Sequence, residues 1–260
     1  MSLPKYTFTL NDVIRENKVS QEEVTEIRLW MVAVNLPVVS DEMIATFVIA
    51  CKRDVENTKK AIMGYFISKN KSPEIFNSCD VDRDDLRLAT NTILNDTSYK
   101  NFHFDAVAKL AFMLVDITLN TKSPPSGLKV VIDAKGAGLM HLTRFKLNYL
   151  KRFIEYLQEG MPLNMREIHV INTIYLVDKI LFMMKPFMKP ELYKMLHLHP
   201  NNTNMEEFSK NHVPKKCLPS DYGGDLPSFA ELNQVTIERY RELKEYYKDE
   251  ESIRKKWITN

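Results

Sequence analysis

The residues that could support chemistry are scattered, and none of them forms a complete catalytic set. Cys51, Cys79 and Cys217 are odd in number and far apart, and the chain has no CxxC pair. That spacing supports neither a disulfide framework nor a zinc site. The sequence also lacks the GxSxG and HExxH patterns of serine hydrolases and zinc proteases. We therefore expect a protein that is not an enzyme and that carries no metal or other cofactor.

Two glycines and two histidines come closest to known binding motifs. Gly136 and Gly138 follow an apolar segment in DAKGAG, but His141 occupies the third glycine position of a dinucleotide fingerprint. The glycines are therefore expected to shape the turn into the following helix. His197 and His199 alternate along a predicted strand, which places both on one face. A metal would need a third ligand at recognisable spacing, so structural hydrogen bonding is the preferred interpretation.

Length and composition indicate a globular chain. The 260 residues suffice for one large domain, or for one domain with a helical appendage. Hydrophobic residues make up 44% and charged residues 27%, and a net charge of +2 with interspersed signs excludes a general nucleic-acid binder. The N-terminus lacks the pattern of a signal peptide, and the longest apolar runs are too short to span a bilayer. A reducing cytosol is the expected location.

The first 70 residues are predicted to be helical. Ser20 followed by Glu23 forms a capping box for one helix, and Asp54 is a suitable N-cap for another. The polar stretch 69–84, which contains a proline, is interpreted as a linker. Residues 86–94 are ambiguous, because their β-branched members also allow a strand.

The next region alternates strands and helices. Residues 128–133 are predicted as a short apolar strand, residues 139–158 as an amphipathic helix that ends at Gly160, and residues 166–172 as a second strand. This order predicts a βαβ unit and a parallel sheet. His169 is expected to be a core histidine with satisfied hydrogen bonds. Further predictions are an apolar helix over 104–119, a third strand over 196–199, and a charged amphipathic helix over 228–257, solvated or bound to a partner.

An ordered series of short motifs runs through the second half of the chain. Its residues are Asp133, Gly136, Pro162, Leu163, Arg166, Ile168, His169, Ile171, Asn172, Lys185, Pro186, Phe187, His197, His199, Leu218, Pro219, Tyr222, Gly223 and Gly224. Each motif alone is weak, but their order and spacing together closely resemble the CRAL-TRIO lipid-binding family. The resemblance covers about residues 75–235, and the helical start fits the small N-terminal domain of that family.

The resemblance implies a fold and a function. The expected fold is α/β: a mostly parallel sheet with flanking helices and a mobile lid helix over an apolar cavity, preceded by a small all-helical domain. The expected domains are residues 1–78 and residues 79–260. The implied function is to bind one small hydrophobic molecule and carry it between membranes; the alternative is a ligand-occupied adaptor that binds a protein partner. Asp133 and Arg166 are expected to pair at the strand ends.

A Met-rich segment, residues 174–195, is the predicted lid. Methionine is flexible and fits irregular apolar ligands, whereas an ordinary core helix would show the same periodicity. Phe182, Met183 and Phe187 are candidates for transient membrane contact. The predicted pocket residues are Leu110, Leu114, Leu128, Val130, Ile132, Phe153, Leu157, Leu163, Met165, Ile168, Val170, Val177, Ile180, Leu181, Met184, Phe187 and Met188. Leu110 and Leu114 align with small serines of a related pocket, which predicts a more apolar cavity.

The chain departs from the family at positions that bind phosphoinositide head groups. Ile49 and Cys51 replace two arginines of the N-terminal motif, and Asn164 replaces a lysine that often follows the PL pair. Two further basic positions on the lid are Glu191 and Met195. Because loss of several cations from one cleft removes most of its attraction for phosphate, we expect weak or absent phosphoinositide selectivity.

Overall fold

The computed structural model describes residues 3–95, 98–120, 124–173 and 175–257. The helices in these ranges are α1 (Leu10–Arg15), α2 (Gln21–Ala33), α3 (Asp41–Ala50), α4 (Val55–Lys71), α5 (Pro73–Phe76), α6 (Asp84–Asn95), α7 (Phe104–Leu119), α8 (Leu147–Glu159), α9 (Tyr175–Met184), α10 (Pro190–Lys194), α11 (Met205–Asn211), α12 (Phe229–Glu242) and α13 (Lys244–Lys255). The strands are β1 (Leu128–Asp133), β2 (Met165–Thr173) and β3 (Leu196–Pro200). Across this described part, no helix is long and apolar enough to cross a membrane.

Side-chain caps start the N-terminal helices. The Ser20 hydroxyl accepts from the backbone N–H of Glu23 at 3.3 Å, and the Glu23 carboxylate accepts from the Ser20 N–H at 2.7 Å. Asp54 likewise accepts from the backbone N–H of Asn57 at 2.9 Å. These bonds satisfy N–H groups that have no partner inside their own helix. The expected helical N-terminal region and its capping box are confirmed.

The polar stretch 69–84 is not the plain linker that composition predicts. Helix α4 continues to Lys71, and α5 adds another turn that begins at Pro73. Proline is favourable at the first position of a helix, where its missing N–H costs nothing. Ile75 and Phe76 are buried, so packing against the core keeps this segment ordered.

Residues 86–94 lie within α6, so the strand interpretation was wrong. Leu86 and Ala89, three positions apart, are both buried on one side of the helix. The β-branched threonines are accommodated because the hydroxyl of Thr90 donates to the carbonyl of Arg87, and that of Thr92 to the carbonyl of Leu88, both at 2.8 Å.

The single helix expected over 139–158 is interrupted. A 3₁₀ segment, Leu139–Arg144, is followed by extended backbone at Phe145, and α8 begins two residues later. The interruption turns the ring of Phe145 toward Phe102 and Phe104, at centroid distances of 5.5 and 5.0 Å. The helix expected over 228–257 is also divided, into α12 and α13.

The sheet is parallel, as the βαβ pattern predicts, with the order β1-β2-β3. Val130 pairs with Ile168, and Ile168 with Leu196. Because paired residues of adjacent strands point to the same side, each face of the sheet has its own composition. Val130, Ile132, Ile168, Val170, Leu196 and Leu198 share one face. The third strand extends one residue beyond its predicted end, to Pro200.

A buried ionic network joins the N-terminal helices to α13. Glu250 accepts a hydrogen bond from the Tyr65 hydroxyl at 2.6 Å and lies 3.4 Å from Lys69 Nζ and 3.1 Å from Arg254 Nε. Burial opposes ionisation of Glu250, but the two cations outweigh it and hold its pKa below the ordinary value. The main apolar core likewise includes residues from both sides of position 78. The division of the chain at that position stays a prediction.

The buried carboxyl group of Asp116 on α7 is costly to ionise in the folded protein. Its side chain is buried, and burial together with the nearby Glu250 carboxylate raises its pKa to about 6, although Lys69 and Arg254 act in the opposite direction. Because the ordinary value is 3.8, the unfolded chain loses this proton at lower pH than the folded chain does. Folding stability should therefore fall as the pH rises from about 4 to about 6 and remain low above that window.

Asp116→Asn should remove this penalty. We expect the free energy of unfolding at neutral pH to increase by about 1–3 kcal/mol, and its decrease between about pH 4 and pH 6 to become smaller. Urea denaturation at several pH values measures both effects. Asp84→Asn, at a side chain that is 98% exposed, is the control and should change little. An Asp116→Asn protein that is less stable than the wild type at neutral pH would contradict the assignment.

Candidate functional site

The apolar face of the sheet is the centre of the candidate site. Ile168 and Val170 of the central strand are each 9% exposed, which makes them the floor of this face. Ile132 on β1 and Leu198 on β3 are 48% and 40% exposed. The face is therefore buried along its middle and open to solvent toward the carboxyl ends of the outer strands. An apolar surface of this kind can accept an apolar ligand without breaking the core.

Aromatic side chains from α7 and α8 form a wall beside this face. The Phe112 ring packs at a tilt against the Phe153 ring, with 5.0 Å between their centroids. It also meets the Tyr156 ring edge-on, at a centroid distance of 4.8 Å. Phe104 joins Phe153 at 5.7 Å. Phe153 and Leu157 are only half-buried, and both pack against the core cluster that contains the sheet floor. The wall thus leaves apolar surface available on its outer side.

The predicted lid follows β2 and consists of α9, a 3₁₀ turn (Lys185–Phe187) and α10. Met184, Phe187 and Met188 are half-buried and pack against the same core. Phe182, in contrast, is 80% exposed. The lid therefore has an apolar inner side, and the Phe182 ring lies on its solvent-exposed side.

Gln158 of α8 holds the far end of the lid. Its side-chain nitrogen donates to the carbonyl of Phe187 at 3.1 Å, and its oxygen accepts from the backbone N–H of Lys189 at 2.5 Å. Lys189 also forms an ion pair with Glu159 at 2.9 Å. These contacts fix the turn between α9 and α10 to α8.

Most of the predicted pocket residues lie on or beside this apolar surface. The members of the main core, or residues packed against it, are Leu128, Phe153, Leu157, Leu163, Met165, Ile168, Val170, Met184, Phe187 and Met188. Val130 and Ile132 share the sheet face, Val177 is 7% exposed, and Ile180 and Leu181 are half-buried on the lid. Their role in binding stays a prediction.

Leu110 and Leu114 are not brought to this surface. Leu110 belongs to a second core cluster with Tyr240 and Tyr246, and the Tyr240 hydroxyl donates to its carbonyl at 2.9 Å. Leu114 is 46% exposed. The part of α7 that includes Phe112 packs on the main core instead. These two positions are therefore separated from the sheet face by the helix itself.

Asp133 at the carboxyl end of β1 organises the entry to the lid. It accepts from the Tyr222 hydroxyl and from the Asn172 side-chain amide, both at 2.8 Å. The expected pairing with Arg166 is wrong, because parallel strands place Arg166 near Leu128, at the opposite end of the sheet. Asn172 has a φ of 55°, a conformation that asparagine tolerates better than most residues. The bond from Asp133 therefore stabilises the turn from which the lid departs.

The LPxxYGG motif serves this turn. Gly223 has a φ of 71°, which favours glycine, and a Cβ on Gly224 would lie 1.9 Å from the carbonyl oxygen of Leu218. This conformation and this close approach give Gly223 and Gly224 a structural role in the turn. In the described ranges, no group of three or more His, Cys, Asp or Glu residues is arranged to hold a metal ion.

The comparison with known proteins agrees with this fold. A family model described as CRAL/TRIO domain matches residues 80–224, more than half of the chain. The protein therefore belongs to the CRAL/TRIO family, whose members bind and transfer lipophilic ligands. A second family model, described as Pinta-like, UBA domain, matches residues 16–86. The resemblance noted in the motifs is confirmed.

Two curated relatives illustrate the relationship. The chain is 23% identical over 214 residues to Alpha-tocopherol transfer protein-like from Homo sapiens, which covers 75% of this chain and 61% of that protein. It is 28% identical over 104 residues to Clavesin-1 from Xenopus laevis, covering 40% and 30% of the two chains. The chain thus spans about three fifths of the length of its first relative. The crystal structure of Sfh5 aligns with a TM-score of 0.45 and 13% identity, covering 90% of this chain and 87% of that chain.

Tyr222→Phe should weaken the turn that Asp133 organises. The change removes one hydrogen bond to a carboxylate and should lower the free energy of unfolding by about 1–3 kcal/mol. Urea denaturation measures the difference. Tyr193→Phe, on a lid residue that is 48% exposed, is the matched control and should stay within about 0.5 kcal/mol of the wild type. Equal stability of the two variants would contradict the role given to Tyr222.

Proposed function

We propose that this protein binds one small hydrophobic molecule between the apolar face of the sheet and the inner side of the lid, and transfers it between membranes through the cytosol. One observation carries the proposal: a half-exposed apolar sheet face continues into the half-buried Met and Phe side chains of the lid. A ligand that buries ~600 Å² there would gain a gross ~15 kcal/mol from apolar transfer. The costs of association remove much of this gain, so affinities from nanomolar to micromolar need no covalent step.

The chemical class of the ligand follows from the walls of the site. The sheet floor, the aromatic wall and the lid supply aliphatic, aromatic and thioether groups, which favour a ligand with a long apolar body. Tocopherols, retinoids, carotenoids and sterols all meet this description. The name of the human relative, Alpha-tocopherol transfer protein-like, supports including tocopherol among the candidates.

Membrane contact is proposed for the outer side of the lid. Phe182 is 80% exposed and therefore free to enter the interfacial region of a bilayer without rearrangement of the core. Met183 and Phe187, which pack inward, would follow when the lid opens. A membrane would then cover the apolar surface that lid opening uncovers.

Weak phosphoinositide selectivity is proposed on the basis of the substituted cations. Ile49 is 7% exposed within α3 and belongs to the main core. Asn164 donates its side-chain amide to the carbonyl of Ser126 at 3.1 Å, so it serves a turn beside β1. Glu191 adds a negative charge on α10, where phosphate attraction would need a positive one.

The adaptor alternative has its own supporting observation. Leu29, Val32 and Val38 in the N-terminal helical region are 66%, 65% and 68% exposed. Val38 also lines a groove of about 480 Å³, together with Leu3, Asn35, Leu36, Pro37, Ile253, Lys256 and Trp257. Exposed apolar side chains of this density are typical of protein contact surfaces. A protein that retains a stoichiometric lipid but fails to move it between liposomes would favour this alternative.

Ile132→Glu should weaken ligand binding without unfolding the protein. The position is 48% exposed, so the fold tolerates a carboxylate, whereas a bound lipid would strip water from it. We expect the Kd for a fluorescent tocopherol or retinoid analogue to rise at least about tenfold, equivalent to about 1.4 kcal/mol. Val32→Glu, a matched change on α2, should leave the Kd unchanged. Similar Kd values for Ile132→Glu and the wild type would contradict the placement of the ligand.

Phe182→Ser should slow lipid transfer while leaving lipid affinity intact. Loss of one phenyl ring from the membrane contact removes about 1.5–3 kcal/mol, so transfer between liposomes should slow about tenfold. Phe229→Ser, at a 40% exposed phenylalanine on α12, is the control.

Transfer should be the same with or without phosphoinositide in the liposomes. A steep rise with phosphoinositide content that Lys189→Ala and Lys194→Ala abolish would contradict the proposed weak selectivity.

A further inference from the structure

Four of the six histidines of the chain meet on the face of the sheet opposite the candidate ligand site. His169 on β2 is fully buried, and its ring stacks on that of His197, its register partner on β3, at 5.0 Å. The ring centroid of His199 lies 5.2 Å from that of His169. His212, the C-cap residue after α11, has its ring centroid 4.9 Å from that of His169. The sequence signals only the HxH pair, because His169 and His212 reach it through folding. We call these four residues the histidine cluster.

Hydrogen bonds define the protonation of the cluster. His169 Nε2 lies 2.9 Å from a carboxylate oxygen of Glu167, which only accepts at neutral pH, so Nε2 carries a hydrogen. His169 Nδ1 lies 3.0 Å from Nε2 of His199. One of these two nitrogens must donate and the other must accept. A neutral His169 therefore accepts from His199 and donates to Glu167, so that both of its ring nitrogens are paired.

This arrangement tolerates one added proton but not two. If His169 and His199 were both imidazolium, both facing nitrogens would carry hydrogens, and the 3.0 Å contact could not persist. Burial, together with the neighbouring histidines, lowers the pKa of His169 below its ordinary value of 6.5, although Glu167 opposes this. Burial and the same neighbours also lower the pKa of His199. The folded protein thus favours neutral His169 and neutral His199, and this stability is complete above about pH 6.5 and is lost as the pH falls below it.

The other charged groups around the cluster do not cancel this effect. Lys129 on β1 is paired with Glu167 at 2.6 Å and donates to the carbonyl of His212 at 3.1 Å. On α11, Glu206 and Lys210 form an exposed ion pair at 3.0 Å. Glu167 is therefore the anion in direct contact with the cluster, and Lys129 already shares it. A second imidazolium would have no carboxylate of its own among these groups.

The histidine cluster connects helix α11 with strand β3 of the sheet. Phe208 of α11 packs edge-on against His169 at 5.5 Å and against His199 at 5.0 Å. On the other side of β3, Leu196 and Leu198 belong to the apolar face, and β3 follows directly after the lid. A change in how β3 is held by the cluster therefore reaches the ligand site through the same strand.

We propose that the histidine cluster is a proton-operated latch, which holds β3 and α11 on β2 when neutral and releases them in mildly acidic solution, so that the bound hydrophobic ligand leaves faster. The release of ligand rests on the proposed carrier function, whereas the latch itself does not. The ligand-free protein can therefore test the latch separately.

Hydrogen exchange of the ligand-free full chain tests the latch. Amides of residues 196–213 should exchange about tenfold faster at about pH 5.5 than at about pH 7.5, after correction for the intrinsic rate, while those of α2 should not change. The double change His199→Gln and His212→Gln should remove most of this acceleration. The single change His212→Gln removes the ring contacts of His212 but neither hydrogen bond of His169. It should therefore remove part of the acceleration. His103→Gln, at an exposed histidine before α7, should behave as the wild type.

Three results would overturn the latch. The first is equal protection of residues 196–213 in the wild type at both pH values, which needs no variant. The second is an acceleration in the double variant as large as in the wild type. The third is faster exchange on addition of EDTA at about pH 7.5, which would show that a metal ion rather than neutral imidazole holds the cluster.

A ligand experiment separates the latch from the carrier function. A fluorescent tocopherol analogue bound to the wild type should dissociate about tenfold faster at about pH 5.5 than at about pH 7.5, and the double variant should lose most of this difference. Failure of the analogue and of retinoid, carotenoid and sterol probes to bind at either pH would contradict the proposed function and leave the exchange result standing. Binding with a pH-independent dissociation rate would contradict the coupling of the latch to the ligand.

Discussion

The alternation of side chains along β2 is the constraint on which the rest of the structure depends. Ile168 and Val170 point to the apolar face, whereas Glu167 and His169 point to the opposite one. Because β2 is paired on both sides, its register determines both faces of the whole sheet. A shift by one residue would place an imidazole and a carboxylate on the face of the candidate site and two aliphatic side chains against α11. The composition of that face and the histidine cluster therefore cannot vary independently.

The lid inherits its position from the same strand. It departs from β2 beyond Asn172, which Asp133 holds, and its turn before α10 is held by Gln158. Between these two anchors Val177 is 7% exposed, whereas the side chains of Ile180, Leu181, Met184 and Phe187 are half-buried. Because apolar burial is partial at these four positions, we expect opening of this segment to cost less than moving either anchor. The anchors thus separate the floor and the wall from the segment for which opening is proposed.

Local features of this fold could be predicted from the sequence, and features that depend on distant contacts could not. The capping box at Ser20, the apolar strands and the parallel βαβ unit follow from short-range patterns, and the order of motifs identified the family. Residues 86–94 were harder, because the burial of Leu86 depends on the C-terminal tyrosines that join its cluster. The interruption at Phe145 depends on Phe102 and Phe104. Leu110 followed an ungapped alignment that could not show which side of α7 faces the sheet.

The replacement of an arginine of the family motif by Ile49 is compatible with the fold. Ile49 belongs to the main core and is 7% exposed, so this position has become part of the packing of α3. An arginine there would have to be desolvated or would have to displace its neighbours, at a cost of several kcal/mol. Restoring one cation would therefore not recreate a phosphate site, because the surrounding helix now packs as apolar core. Under the proposed weak selectivity, attraction to a membrane would depend on surfaces outside that cleft, such as the exposed ring of Phe182 on the lid.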